Sequence, residues 1–193
     1  MNKVVIFSAP SGSGKTTMVR HLLQQFPQLE FSVSATNRAP RGKEQEGHDY
    51  FFLTPEEFTA RAAKGDFVEW EEVYPGLCYG TLKSEVERIW SKGNVIAFDI
   101  DVCGGVTLKQ LYGEQALSIF VCPPSIEILK HRLETRGTDT PEAIQRRIGK
   151  AEEEMAFATK FDVVIINDNL KQAKAEVELV VNNFLNDNKA ETV

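Results

Sequence analysis

The stretch Ala9-Pro10-Ser11-Gly12-Ser13-Gly14-Lys15-Thr16-Thr17 constrains this chain more than any other part of it. It follows directly on the apolar run Val4–Phe7 and opens a helical pattern, the strand–loop–helix setting that a phosphate-cradling loop requires. Gly12 and Gly14 let the backbone curl so that successive N–H groups converge on phosphate oxygens. The helix beginning near Lys15 adds its positive dipole end. Lys15 has the reach for the β- and γ-phosphates of a nucleotide, and the Thr16 hydroxyl can ligate Mg2+. Ala9 stands where the first glycine of the usual pattern would be, which fits if its backbone keeps a negative φ.

Around this loop, short β-branched runs alternate with helical patterns, so an α/β fold is expected, with a parallel sheet flanked by helices. Strands are expected at Lys3–Ser8, Phe31–Ser34, Val95–Asp99, Leu117–Val121 and Val163–Ile166. Their runs are apolar throughout, as when both faces of a sheet are covered. Helices are expected at Gly14–Gln25, Leu82–Lys92, Ile126–Thr135, Pro141–Lys160 and Leu170–Leu185, with Gly137 as a stop and Thr140-Pro141 as a start. Residues 36–80 break the rhythm. There, Tyr50–Leu53 and Phe67–Val73 read as strands around a short helix that opens on the capping box Thr54-Pro-Glu-Glu57 and ends at Gly65. This is a small mixed α+β subdomain inserted into the core. Trp70 and Trp90 read as packing residues.

Composition excludes several classes of function. The net charge of −6 over 193 residues has the wrong sign for a general nucleic-acid binder, so an anionic ligand needs a local cationic pocket. No apolar run approaches the ~20 residues of a membrane helix or the roughly 7–15 of a secretory segment. Cys78, Cys103 and Cys122 form no close pair, and His21, His48 and His131 show no metal-ligand spacing. Free thiols in a reducing cytoplasm are expected. A GTPase is excluded as well. Asp101-Val-Cys-Gly104 has the right spacing for one of its motifs, but the base-reading motif has only the near match Asn188-Lys-Ala-Glu191, in the polar tail.

The segment Ser32-Val-Ser34-Ala-Thr36-Asn-Arg38-Ala-Pro-Arg41, followed by Gly47-His-Asp-Tyr50-Phe-Phe, narrows the choice. With Phe67–Trp70, Tyr79-Gly-Thr81, Asp99-Ile-Asp101, Arg132–Gly137, Ile166-Asn167-Asp168 and the phosphate loop, it resembles the guanylate kinase family over nearly the whole chain. Asn37 and Gly42-Lys43-Glu44 depart from the family pattern. The resemblance implies a core of residues 1–34 and 82–186, a GMP-binding insertion of residues 35–81, a helical lid at about 126–158 and a polar tail of residues 187–193. It implies transfer of the γ-phosphate of ATP to GMP or dGMP with Mg2+ and no covalent nucleophile, in a monomer or homodimer without nucleic-acid or membrane partners.

By the same resemblance, Ala9 to Thr17 and Asn167 bind ATP, Thr16 holds the metal, and Lys15, Arg136 and Arg147 are catalytic, the two arginines from the lid. Arg38, Arg41, Tyr50 and Tyr79 would surround the acceptor phosphate, where guanidinium forks and phenol donors suit a dianion. Ser34, Glu69 and Thr81 would read the base. A carboxylate accepts from guanine N1–H and the 2-amino group together, and adenine would leave it unpaired. Asp99 and Asp101 close a strand from which they are expected to point in opposite directions, one toward Mg2+ or a phosphate-binding arginine, the other toward the acceptor nucleoside. Which does which stays open. Three rivals remain: a kinase acting on a ribose bisphosphate, a non-catalytic phosphopeptide-binding domain of guanylate-kinase-like shape, and an adenylate or pyrimidine monophosphate kinase. Glu69 with Ser34 argues against the first and third. The intact Lys15 and Thr16 argue against the second.

Overall fold

The computed structural model describes residues 2–136 and 140–186, the side chain of Arg136 excepted. In chain order the elements are β1 (Val4–Ser8), α1 (Lys15–Gln25), β2 (Leu29–Phe31), β3 (Ala35–Thr36), β4 (Phe51–Phe52), α2 (Pro55–Ala63), β5 (Phe67–Tyr74) and β6 (Leu77–Leu82). They continue with α3 (Lys83–Ser91), β7 (Val95–Asp99), α4 (Val102–Tyr112), β8 (Ala116–Cys122), α5 (Ile126–Arg136), α6 (Pro141–Met155), β9 (Val163–Ile166) and α7 (Leu170–Asn186). Five strands form a parallel sheet in the order β2-β7-β1-β8-β9, and four form a second, mixed sheet in the order β4-β3-β6-β5.

The continuous apolar strands have the expected cause. Val5 and Phe7 of β1 pack with Met18, Val19 and Leu22 of α1 and with Ala173, Val177 and Val181 of α7. Val4 and Ile6 face the other way, onto Val86 and Ile89 of α3 and Leu108 of α4. Successive side chains of a strand point to opposite faces, so a strand covered on both must be apolar at every position. Parallel order then puts the C-terminal ends of β1 and β7 together at one edge, where ligands of open α/β sheets gather.

Several boundaries differ from the sequence expectation. β2 is Leu29–Phe31 rather than Phe31–Ser34, because residues 32–34 leave the large sheet for the small one. Leu82 ends β6, and α3 starts one residue later. α6 stops at Met155, and a separate 3-10 turn covers Ala158–Lys160. The insertion has its capping box at Thr54 and Glu57, and Gly65 follows the helix at φ +72°. Its hairpin partner β6 and the short β3 were not foreseen. Trp70 is 47% exposed and meets Phe58 edge-on, so it packs only in part.

α4 is the one long helix the sequence pattern did not reveal, and the reason is steric. It carries Gly104 and Gly105 in its interior, which cost roughly 1 kcal/mol each in helix propensity. A Cβ on Gly105 would lie 2.4 Å from the Ser8 Oγ, and one on Gly104 would lie 2.9 Å from the Glu69 Oε2. The glycines let α4 press onto β1 and β5. Gly137 and the tail from residue 187 lie outside the described residues.

Candidate active site

A cleft of about 430 Å³ opens where the end of β1, the phosphate loop and the β7–α4 junction face the small sheet. Ala9 to Gly12, Gly14 and Lys15 to Thr17 form one wall, and Ser34, Tyr50, Glu69, Tyr79 and Gly80 form the other. Asp99, Ile100 and Asp101 lie between them, and Lys150 and Glu154 of α6 complete the rim.

The loop has the required shape. Gly12 and Gly14 sit at φ +100° and +98°, and no non-glycine residue among those described has a positive φ, so Ala9 is accommodated. A side chain at Gly14 would collide with the Asn167 amide, whose Nδ2 donates to the Ser13 carbonyl at 2.7 Å. Gly14 caps α1 without a side chain, leaving the Lys15 and Thr16 N–H groups for a ligand, while the Thr17 N–H donates to the Gly14 carbonyl at 3.1 Å. The Ser13 Oγ is buried without a hydrogen-bond partner among the described residues. Behind the loop a second hollow of about 460 Å³ is lined by Gly12, Gly14, Thr17, Arg132 and Asn167, with Arg132 Nη2 donating to the Asn167 carbonyl at 2.8 Å.

Asp99 and Asp101 both border the cleft, which corrects the expectation that they point in opposite directions. The physical reason is that residues two apart in extended chain share a face, so positions 99 and 101 fall on the same side; it is neighbouring positions that alternate. Asp101 is the N-cap of α4, its Oδ1 accepting from the backbone of Cys103 and Gly104 at 2.9 and 3.1 Å. Asp99 lies on the loop side. Its Oδ1 is 2.6 Å from the Lys15 Nζ and its Oδ2 is 3.4 Å from the Thr16 Oγ1. Lys15 also donates to the Ile100 carbonyl at 2.8 Å. A carboxylate and a hydroxyl side by side at a phosphate loop suit Mg2+, which keeps most of its coordination for water and phosphate.

On the opposite wall, Glu69 is 8% exposed, and its Oε1 accepts from the Thr81 hydroxyl at 2.6 Å. Burial pushes its carboxyl up to about 7, with Asp101 and Glu71 adding to the rise and Thr81 opposing it. No ion pair to Glu69 occurs among the described residues. Tyr50 and Tyr79 stand with ring centroids 5.7 Å apart, and burial raises the Tyr50 phenol, keeping it an O–H donor. Arg38 lies over the Tyr50 ring at 4.9 Å and donates from Nε to the Tyr79 hydroxyl at 3.1 Å. Its fork is held by Glu44 at 2.6 and 2.8 Å, so a carboxylate takes the place a phosphate would claim. Arg41 is exposed, with its backbone N–H on Glu44. Asn37, a departure from the family pattern, ties the β5–β6 turn through the Gly76 carbonyl and the Cys78 N–H.

The sequence did not single out Lys150, Glu154, Val73 or Tyr74. Lys150 sits 4.3 Å above the Tyr74 ring and 3.4 Å from the Val73 carbonyl, bridging α6 and β5. The signal was present, since positions 147, 150 and 154 share one stripe of a helix at 100° per residue. Arg147 therefore lies on the side of α6 that meets the cleft, and it is half-buried. The side chain of Arg136 lies outside the described residues.

The family model for guanylate kinase matches residues 1–184. The chain is 58% identical over 184 residues to the guanylate kinase of Bacteroides thetaiotaomicron, covering 95% of this chain and 90% of that one. It is 49% identical to the guanylate kinase of Porphyromonas gingivalis over 96% and 99% of the two chains. The crystal structure of guanylate kinase from Anaplasma phagocytophilum superposes with a TM-score of 0.73 at 28% identity, over 94% of this chain and 85% of that one. A shikimate kinase structure from Bacteroides thetaiotaomicron, at TM-score 0.52 and 13% identity, shares the fold alone. A phosphate loop facing a buried carboxylate across one cleft, and kinship over almost every residue, place the chain in the guanylate kinase family, as a nucleoside monophosphate kinase.

Proposed function

We propose that the chain transfers the γ-phosphate of ATP to GMP, giving ADP and GDP, with Mg2+ as cofactor. The observation that carries the reading is Glu69: a buried carboxylate facing the cleft with Thr81 on one oxygen and, among the described residues, no cation paired with it. Guanine brings N1–H and a 2-amino group to such an acceptor, and Ser34 can donate to its 6-oxo group. Adenine has neither donor in that arrangement, and a sugar phosphate offers no such edge, so each leaves Glu69 desolvated and unsatisfied.

The remaining residues then divide the work. Tyr50, Tyr79 and Arg38 hold the acceptor phosphate, Arg38 exchanging Glu44 for it, and Arg41 approaches from the surface. The loop N–H groups and Lys15 hold the β- and γ-phosphates, Thr16 and Asp99 would hold Mg2+, and the hollow by Arg132 and Asn167 takes the nucleoside of ATP. Bound there, Mg2+ would neutralise charge on the phosphate oxygens. An oxygen of the GMP phosphate attacks the γ-phosphorus in line as its bond to ADP breaks. Catalysis is therefore positioning plus charge stabilisation by Lys15 and the lid arginines Arg136 and Arg147.

ADP release measured with ATP and each of GMP, AMP, CMP and UMP tests the reading. Strong turnover is expected with GMP alone, and AMP turnover equal to it would refute the role of Glu69. Lys15→Met should abolish turnover with the fold intact, since Lys15 supplies charge rather than packing.

A further inference from the structure

The chain passes between the two sheets at residues 32–35 and again at residues 82–83. On the way out, Ser32 donates its N–H to the Ala97 carbonyl of the large sheet at 3.0 Å, while the Ser34 carbonyl accepts from Phe51 of the small sheet at 2.9 Å. Val33 stands between the two ladders. It is buried, and its N–H belongs to neither sheet. A buried N–H without an acceptor costs about 1–3 kcal/mol, so something must meet it. The acceptor is Glu85, whose Oε1 takes the Val33 N–H at 3.0 Å.

Glu85 lies in the first turn of α3, directly after the chain returns from β6. One carboxylate thus ties the outgoing crossing to the returning one. It is 3% exposed, and its charge is met by Arg88, with Nε on Oε2 at 2.7 Å and Nη2 on Oε1 at 2.8 Å. Arg88 Nη1 and Lys92 also converge on Glu30 of β2, the strand that leads into Ser32. Exposed ion pairs contribute little, and a buried carboxylate is often no better for stability than a well-packed apolar side chain. An apolar side chain, however, could not hold the Val33 N–H, and Val33 is one residue from Ser34 in the wall of the cleft.

We propose that Glu85 is a positioning residue for recognition of the acceptor base: through the Val33 N–H it fixes Ser34 against the core, and so sets where the 6-oxo edge of the purine is met. The inference rests on reading Ser34 as a base contact. Glu85→Ala should raise KM for GMP about tenfold and leave KM for ATP within about twofold, as loss of one aligned hydrogen bond at one substrate requires. Glu85→Gln keeps an acceptor in reach of Val33 and should recover most of the GMP affinity, although it sets an amide N–H2 against Arg88. Glu85→Asp keeps the charge but withdraws the acceptor, and should not recover it. Glu85→Ala combined with Ser34→Ala should weaken GMP no further than Ser34→Ala alone.

If Ser34→Ala leaves KM for GMP unchanged, the reading of Ser34 fails and takes the route from Glu85 with it. If Ser34→Ala matters but Glu85→Ala moves both KM values together or neither, the positioning role is overturned and the base reading stands. Should Glu85→Ala fail to fold, the Gln and Asp variants decide: recovery by Asp rather than Gln would show that Glu85 serves only as a charge for Arg88.

Discussion

Glu69 turns burial into a pH dependence that can be measured. Its carboxyl is held up to about 7, mainly because it has lost water, whereas an unfolded glutamate titrates near 4.5. The folded protein therefore binds the proton more tightly than the unfolded chain, and Glu69 costs stability increasingly as pH rises from about 4.5 to about 7. A guanine edge made of two donors favours the carboxylate, so GMP binding should release a proton below pH 7. The dissociation constant for GMP should fall about tenfold between pH 6 and pH 8 as the site ionises. The phosphate of GMP also titrates near 6. Glu69→Gln retains that titration, and calorimetry should find its profile flatter than the parent's by the carboxyl's share. Identical profiles would refute the assignment. At this scale the sequence was informative where a residue type carries its chemistry in any context, as with Lys15, Thr16 and Glu69. It was uninformative for how Asp99 and Asp101 divide the work, because Asp99 is drawn to Lys15 and Asp101 is held as the cap of α4, contacts set by packing rather than by pattern.

At the scale of elements, legibility followed periodicity. The central strands could be read because covering both faces forces them to be apolar, and α6 because Ile144, Ile148 and Ala151 pack onto Leu129 and Leu133 of α5 at helical spacing. α4 could not, because the close approach of its glycines to Ser8 and Glu69 overrode propensity. The short β3 and β4 hold two residues each and leave no periodic trace. The stripe of α6 also orders its arginines. Arg147 falls about 20° from Glu154 and about 60° from Lys150 around the helix, Arg146 about 80° and about 40°; Arg147 is half-buried while Arg146 is exposed, so the cleft-facing position is Arg147. An arginine that meets the transferring phosphate chiefly in the transition state lowers kcat rather than raising KM when removed. Steady-state kinetics should give a loss of at least ~10²-fold in kcat for Arg147→Ala and a mild effect for Arg146→Ala. The reverse ranking would mean that α6 turns a different face to the phosphates.

At the scale of the whole molecule, the proposed reaction requires that a donor site on the core and an acceptor site on the insertion come together and then let products leave. The connection between the two walls made by α6 is slight. Lys150 lies over the Tyr74 ring and reaches the Val73 carbonyl, while Glu154 stands 3.8 Å from the same ammonium. A cation over an aromatic ring at a partly exposed site contributes ~0.5–1 kcal/mol, comparable to RT and easily exchanged for contacts with a phosphate. Such a bridge can bias the cleft toward closure without locking it. Lys150→Met should therefore shift the population and little else. The melting temperature should fall by no more than a few degrees, KM for GMP and for ATP should rise together by ~2–5-fold, and kcat should stay within about twofold. Spin labels at Glu72 and Arg146, on a background with Cys78, Cys103 and Cys122 replaced by serine, should report a longer mean distance in Lys150→Met without ligand. The same distance as the parent should return when both nucleotides are bound, because the substrates then supply the charges that draw the walls together. If the ligand-free distance is unchanged in Lys150→Met, the bridge is incidental, and the separation of the walls is set by the chain crossings at residues 32–35 and 82–83 alone.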